Sequence, residues 1–339
     1  SLNSKYTGEA SILAILMMIF GVAILLLNQI SVKSRKSYTT VTGKSGQISK
    51  FNLGRSGKYI IAIILIIITF FTSIFPIVSF AFETFLPNPG DYSFLYTGDP
   101  DNLTTKWWVT NENITENGMY GQQGILYNDM IWHAYKGTIM VSVCCALTAG
   151  TIGTLIGYAV SKNRRSRWAN YVNSMAFLPY LMPSIAVGVA FFILFSNKYV
   201  NLFNTYALLI IVGTVKYIPF ASRSSLNSML QLSGEIEEAA IIQDIPWTKR
   251  MTRIIIPIQK TSIISGYLLP FMTCLRELSL FILLCVQGFI LSTTLDYFDE
   301  MGLYAFSSGI NLILIVTILI CNALVNKATG ASLDKGIGG

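Results

Sequence analysis

The chain has 339 residues, of which 53% are hydrophobic and only 12% are charged, and its formal net charge is +7. Because soluble domains carry about 25% charged residues, this composition excludes an ordinary soluble protein and indicates a polytopic membrane protein. The positive charge does not indicate nucleic-acid binding, since the basic residues cluster at the ends of apolar runs, where membrane topology places them. The single histidine, His133, excludes a metal site built from several histidines, and the five cysteines lie in apolar runs without CxxC spacing.

The beginning of the sequence lacks the layout of a signal peptide. Ser1 is not a start methionine, no basic region precedes the first apolar run, and no A-x-A cleavage site follows it within residues 1–30. We therefore expect the sequence to begin in the middle of a longer protein.

Seven apolar runs are long enough to cross a bilayer, which takes about 20 residues. The predicted spans are 10–30, 59–82, 137–161, 169–195, 204–228, 262–286 and 303–325. The fifth is the least regular, because Lys216, Pro219 and Arg223 interrupt it. The predicted fold class is therefore an all-α, polytopic membrane protein with about seven transmembrane helices.

The charges of the connecting segments set the orientation. Segments 31–58 and 162–168 are rich in lysine and arginine and contain no acid, so the positive-inside rule places them in the cytoplasm. Segments 83–133 and 292–302 are mainly acidic and fall outside if the spans alternate. This pattern predicts an N-terminus outside and a C-terminus inside.

Without the first of the seven predicted spans, the other six form a unit with both ends in the cytoplasm, so the sequence predicts two structural parts. Residues 1–58 would be the last helix of a preceding unit with a basic cytoplasmic linker, and residues 59–339 would be a six-helix domain. Outer segment 83–133 is too long for a simple turn and contains Trp107 and Trp108. Either a small folded cap or a loose loop with interfacial aromatic residues explains it.

Residues 233–260 form a charged, amphipathic insert between two apolar spans, on the predicted cytoplasmic side. The pattern predicts a helix that Ser233 caps, with glutamates in its first turns, where the positive end of the helix dipole favours them. Ala239 and Ala240 make part of one face shallow, so that another protein can approach closely.

A turn is predicted at Asp244, because aspartate tolerates the left-handed conformation better than most residues. A second helix is predicted to follow, with Pro246 in its first turn, where the missing N–H of proline does little harm. This helix carries three basic residues, and Pro257 is predicted to end it.

The spacing within the insert carries a family resemblance. Glu-Ala-Ala is followed after three residues by Asp, after nine more by Ile, and after one more by Ile-Pro; the residues are Glu238, Ala239, Ala240, Asp244, Ile254, Ile256 and Pro257. This pattern resembles the cytoplasmic signature of permease subunits in bacterial binding-protein-dependent ABC importers. Two positions depart from that signature: Asp244 stands where the family has the glycine of a sharp turn, and Ile256 stands where it has leucine.

The resemblance extends over most of the chain. Segments 137–167, 176–195 and 268–284 resemble core spans of such permeases. The linker at 37–46, with a spare span before it, resembles the junction of double-length permeases, in which two six-helix halves are fused. That arrangement is typical of the ferric-iron group, with thiamine and phosphonate importers as relatives, and this chain would be the second half.

The resemblance implies the partners. Two cytoplasmic ATPase subunits would bind ATP and hold the helix around Glu238 in a groove, while an extracytoplasmic binding protein would deliver substrate. The other permease half would complete a pathway through the bacterial inner membrane. The chain itself would be no enzyme and would bind neither metal nor cofactor; "TGKS" at 42–45 lacks the glycine that a phosphate-binding loop needs five residues before Gly43. Ferric iron is the expected substrate, with thiamine, phosphonate, polyamine and sulfate as alternatives.

Four residues are candidates for the translocation pathway or its gate. Arg276 and Glu277 lie within the sixth predicted span, where ionisable residues are costly and face the bundle interior or a water-filled cavity. They either line the pathway, as the matching "RELS" of iron-type permeases suggests, or form an ion pair or helix-to-helix bond that holds the bundle together. Pro179 and Pro183 are expected to break the fourth span near the pathway.

Two other classes of protein compete with this interpretation. A secondary transporter driven by an ion gradient would use broken helices near the bilayer midplane, which Pro179 and Pro183 would suit. It would not explain why 233–260 keeps the signature spacing. A membrane scaffold or sensor would leave Arg276 and Glu277 unexplained.

Overall fold

A computed structural model describes most of the chain. The described residues are 54–88, 90–93, 103–114, 121–197 and 199–329, with six isolated positions between 12 and 23. Most of the first predicted span, 10–30, and most of the linker 31–58 therefore lie outside the described residues.

The described chain is a succession of helices. They are α1 (Gly54–Thr69), a π-helical turn (Phe70–Ile74), α2 (Phe75–Glu83), α3 (Lys106–Val109), α4 (Asp129–Lys162), α5 (Arg167–Leu181), α6 (Ser184–Phe195), α7 (Tyr206–Gln231), α8 (Gly234–Ile242), α9 (Trp247–Arg250), a second π-helical turn (Met251–Ile255), α10 (Ile256–Ile258), α11 (Lys260–Leu275), α12 (Leu291–Glu300) and α13 (Tyr304–Thr329). Within these residues, extended pairing is limited to two isolated bridges, Ile114 with Gln122 and Ser196 with Asn201.

Four helices of the described part are long and apolar enough to cross a membrane by themselves. They are Ser56–Glu83, Asp129–Lys162, Tyr206–Gln231 and Tyr304–Lys327. Two bent pairs, α5 with α6 and Trp247–Ile258 with α11, raise the number to six if each pair is one span. The all-α membrane architecture is confirmed for the described residues, while the first predicted span, 10–30, lies mostly outside them.

The fourth predicted span, 169–195, is a broken pair of helices, as its prolines predicted. α5 ends at Leu181, α6 begins at Ser184, and the two axes differ by 100°. Pro183 causes the break, because proline lacks an N–H and pushes the preceding residue into an extended conformation. Pro179, by contrast, is accommodated inside α5.

The sixth predicted span, 262–286, is wrong at its C-terminal end. α11 ends at Leu275, the chain then makes a series of turns over 276–290, and α12 follows where a connection outside the membrane was predicted. The apolar run continues past the helix because its side chains fill the central core; they include Leu280, Phe281, Leu284 and Cys285.

The long helices α4 and α7 form the centre of the fold. A Cβ on Gly153 would lie 2.5 Å from that of Ala221, so the two backbones approach as closely as glycine allows. Thr148 and Thr214 share a hydrogen bond of 2.5 Å between the same helices. Small residues therefore let α4 and α7 pack directly, as is common between membrane helices.

The described parts of segment 83–133 form a packed cap. Trp107 is buried, its indole nitrogen donates to the carbonyl of Leu86 at 2.7 Å, and its ring meets Phe306 of α13 edge-on. Ile125 is also fully buried in the same cluster. Of the two alternatives for this segment, these contacts favour the folded cap.

Candidate functional site

The insert at 233–260, here called the signature segment, begins with a short helix, α8, that ends in a sharp turn. The Ser233 hydroxyl accepts a hydrogen bond from the backbone N–H of Glu235 at 3.4 Å, which confirms the predicted cap. Asp244 has φ = +53°, so it adopts the left-handed conformation predicted for it. The N–H of Ile245 then donates to the carbonyl of Ala240 at 3.1 Å and closes the turn.

Glu237 anchors α8 to the rest of the protein. It is 4% exposed, and the Tyr158 hydroxyl donates to its Oε1 at 2.5 Å. Lys162 forms an ion pair with the same carboxylate, and Arg250 Nε lies 3.7 Å from Oε1. Tyr158 and Lys162 stand one turn apart at the C-terminal end of α4, so Glu237 joins the signature helix to both α4 and α9.

The charge of Glu237 is maintained by its neighbours. Burial by itself would raise the pKa of this carboxyl. Hydrogen bonds from Lys162 and Tyr158, with the charges of Lys162 and Arg250, outweigh burial and hold the pKa below its ordinary value. The anchor is therefore ionic under neutral conditions.

Glu237 was missed by sequence reasoning, because the signature begins at the next residue. Successive residues of a helix point about 100° apart, so Glu237 lies on the buried face with Ala240, whereas Glu238 and Ala239 are exposed. The prediction that both alanines form one open face is therefore wrong. A signal was available: the i, i+3 spacing of Glu237 and Ala240 places them on one face.

The open side of the segment is apolar as well as acidic. Ile242 is 83% exposed, and Ile236, Ile241 and Trp247 also expose much of their side chains. These residues lie outside the long membrane helices, and exposed apolar patches of this kind occur where a protein contacts a partner, a ligand or the membrane surface.

The later signature residues lie at the junction with α11. Ile254 is half-buried in the second π-helical turn, and Pro257 is exposed in α10. The helix ends at Ile258, one residue after Pro257, in agreement with the predicted end. Gln259 follows at the break, and its side-chain amide donates to the carbonyl of Ser228 at 3.0 Å.

A second cluster surrounds the break between α5 and α6. Lys216 of α7 is 8% exposed, and its ammonium donates to the carbonyls of Pro179 at 3.0 Å and Met182 at 2.6 Å. In a continuous helix the Pro179 carbonyl would accept from the N–H of residue 183, which proline lacks. Lys216 therefore satisfies acceptors that the break leaves free.

The next residue of α7, Tyr217, contacts the second interruption, which is the end of α11 and the turns that follow it. The buried Tyr217 hydroxyl donates to Glu277 Oε2 at 2.9 Å, while the other oxygen of Glu277 accepts the N–H of Leu280 at 3.0 Å. Glu277 thus caps the turns that follow α11 and bonds across to α7. Arg276 is exposed at the end of α11. The prediction placed both Arg276 and Glu277 inside a membrane-spanning helix, but both follow the last residue of α11.

The structure therefore sorts the predicted site residues into two places. Pro179 and Glu277 accept hydrogen bonds from consecutive residues of α7, and Pro183 lies at the break beside them; Glu238, Ala239, Ala240 and Asp244 lie in or directly after α8, and Ile254 and Pro257 lie near the start of α11. Lys216 is the residue that best accounts for the first group, and its position inside an apolar span was the signal that pointed to it.

A family described as "Binding-protein-dependent transport system inner membrane component" matches residues 149–331, more than half of the chain. The chain belongs to this family. The match includes the signature helix, both interrupted spans and the final long helix. The protein is therefore a multi-pass permease component of an ABC importer.

Relatives of this permease component include proteins of different cargo. It is 24% identical to the "Putative ferric transport system permease protein FbpB 1" of Haemophilus influenzae, over 82% of this chain and 40% of the relative. It is 22% identical to the Actinobacillus pleuropneumoniae ferric permease, over 82% and 37%. The "Putrescine transport system permease protein PotI" of Escherichia coli is 26% identical, over 58% and 68%. The chain spans about two-fifths of the length of the two ferric relatives.

The fold of this permease component is also found in a solved structure. A bacterial ABC transporter involved in the import of the acidic polysaccharide alginate has a chain that matches with a TM-score of 0.58 at 16% identity. The match covers 81% of this chain and 98% of that one. At this identity the likeness concerns the fold alone.

Proposed function

We propose that this permease component forms part of a translocation pathway and receives movement from a cytoplasmic ATPase through residues 233–260. The observation that carries this proposal is the division of α8 into two faces. Glu237 fixes one face to α4, while Glu238, Ala239 and Ile242 lie on the open side. A short helix fixed on one face and free on the other can transmit the displacement of a bound partner.

The partner would be a pair of ATPase subunits that bind and hydrolyse ATP, while this chain binds neither metal nor cofactor. Ile242 and Ala239 would contact an apolar groove on one subunit, and Glu238 would pair with a base or cap a helix there. Asp244 fixes the direction in which the chain leaves this surface, and Ile254 and Pro257 connect it to α11.

Ferric iron is the proposed cargo. Support comes from the two ferric relatives, which align with 82% of the chain, more than the putrescine permease does. Polyamine, thiamine, phosphonate and sulfate are the alternatives within the same class. The pathway would pass the interrupted spans near Pro179, Pro183, Arg276 and Glu277.

We further propose that residues 1–58 are the last helix and linker of a preceding permease half, and that 59–339 form the second half. The exposed apolar surface of α1 supports this arrangement, because the described part of the chain does not cover it. The lipid bilayer and the other half would cover it together. An extracytoplasmic binding protein would dock on the outer cap; a related alginate transporter has been solved with its periplasmic protein.

Co-purification and uptake test this proposal. The chain is expressed with its complete operon, and Glu238→Ala and Ile242→Asp are compared with Glu235→Ala, a change at an exposed glutamate one turn earlier. We expect the first two variants to lose the ATPase subunits and the uptake of radiolabelled ferric iron, and the third to retain both. Retained ATPase binding in both signature variants would overturn the coupling role.

Uptake measurements also separate the cargo and the energy source. Iron uptake that persists without ATP but collapses with the ion gradient would instead indicate the secondary transporter that broken helices suit. ATP-dependent uptake of putrescine, but not of iron, would keep the coupling role and replace the cargo.

A further inference from the structure

We propose that Lys216 and Tyr217 are positioning residues that join the two interrupted spans into one moving unit. The proposal depends on the permease function above only for its transport readout. It rests on contacts that link the break at Met182–Pro183 with the turns that begin at Glu277.

The first link is the buried ammonium of Lys216. A charged group among apolar helices is costly unless it is fully hydrogen-bonded, and here two carbonyls supply the acceptors. Both carbonyls belong to the last turn of α5 and its cap, where the helix stops accepting its own N–H groups. Lys216 therefore holds the broken end of α5 at a fixed distance from α7.

The second link leaves α7 from the adjacent residue. Consecutive helical residues point about 100° apart, so one turn of α7 reaches α5 through Lys216 and the end of α11 through Tyr217. Tyr217 is 1% exposed, and Glu277 divides its two oxygens between this hydroxyl and the N–H of Leu280. The Ser292 hydroxyl also donates to the backbone carbonyl of Glu277 at 2.7 Å, which fixes the start of the turns.

The third link joins the two interruptions directly. A Cβ on Gly188 of α6 would lie 2.7 Å from the carbonyl oxygen of Leu280. Val187 and Leu280 are also buried in the same core cluster as Tyr217. A movement of α6 therefore displaces the turns after α11. Because Lys216 and Tyr217 bond both interrupted spans to one turn of α7, the two spans move together.

Hydrogen exchange of the full chain in lipid nanodiscs tests the linkage without an ATPase. Two groups of amides are followed: 186–190 after the first break and 280–285 after the second. Lys216→Met removes the bonds at the first break, and Tyr217→Phe removes the bond at the second. Lys136→Met, the same change at an exposed lysine of α4, is the matched control.

We expect each variant to raise exchange about tenfold in both groups of amides, because a lost charge-assisted or buried hydrogen bond changes local opening by about that factor. The control should leave both groups unchanged. If each variant accelerates only its own break, or if neither does, the linkage is refuted. If Lys216→Met fails to fold, Tyr217→Phe decides the linkage by itself: faster exchange in both groups of amides supports it, and faster exchange at 280–285 alone refutes it.

The transport readout distinguishes positioning from simple stability. In the assembled complex, Lys216→Met should lower uptake about tenfold while ATPase subunits still co-purify, and Lys216→Arg should restore at least half of it. Normal uptake in Lys216→Met would refute the positioning role. Failure of the unmodified chain to bind an ATPase would refute the proposed function, while the exchange result would still decide the linkage.

Discussion

The ammonium of Lys216 lies 3.0 Å from the carbonyl oxygen of Pro179, although the two residues are 37 positions apart. Pro183 deprives that carbonyl of its helical donor, and a lysine from another helix replaces it. A break that would otherwise expose unsatisfied backbone groups inside the membrane thereby becomes a fixed structural element.

The anchor of the signature helix predicts a difference between two adjacent glutamates. Glu237→Gln should lower the free energy of unfolding by about 1–2 kcal/mol, because it leaves Lys162 and Arg250 without their buried partner. Glu238→Gln, at an exposed site, should change it by less than about 0.5 kcal/mol. Thermal unfolding in detergent, followed by tryptophan fluorescence, measures both. Equal effects would contradict the anchor.

The lowered pKa of Glu237 predicts a pH dependence of that difference. A carboxyl with a depressed folded-state pKa contributes stability above its unfolded value, near 4.5, and loses it as the pH falls through the folded value. The melting-temperature gap between the unmodified chain and Glu237→Gln should therefore be constant from about pH 7 to about pH 5 and close under more acidic conditions. A gap that widens on acidification would show that the pKa is raised instead.

The close contact at Gly188 predicts a low tolerance for side chains. Gly188→Ala places a Cβ against the carbonyl of Leu280 and should destabilise the protein by about 1–3 kcal/mol. Gly234→Ala is the matched control, because its Cβ would meet only the flexible Glu238 side chain at 3.7 Å. The control should retain its melting temperature. A tolerated Gly188→Ala would mean that α6 can move away from the turns independently.

The left-handed turn at Asp244 predicts a stabilising substitution. Asp244→Gly restores the residue that the family signature has there and should raise the free energy of unfolding by about 0.5–1 kcal/mol, because glycine adopts positive φ without strain. Asn204→Gly is a contrasting case: Asn204 also has positive φ, but its side chain accepts the N–H of Val286 at 3.1 Å, so that substitution should be neutral or destabilising. Chemical denaturation of both variants checks the sign.

Local rules predicted the signature segment well and the spans less well. Ser233 caps α8 and Asp244 makes the turn because each needs only its immediate neighbours. The sixth span was extended too far, because the apolar run after Leu275 reads like helix although Leu280 and Phe281 fill the core from turns. Periodicity cannot distinguish an apolar helix from an apolar turn segment that other helices cover.

The sequence by itself determined the class of the protein: composition set the membrane environment, and the spacing from Glu238 to Pro257 indicated the family that residues 149–331 confirm. The tertiary structure decided which residues, distant in sequence, form hydrogen bonds with one another. Lys216 with Pro179, Tyr217 with Glu277, and Tyr158 with Glu237 are separated by 37, 60 and 79 residues. Spacing indicates which face of a helix a residue occupies. These bonds join residues of different elements, and they depend on which helices pack against one another in the folded protein.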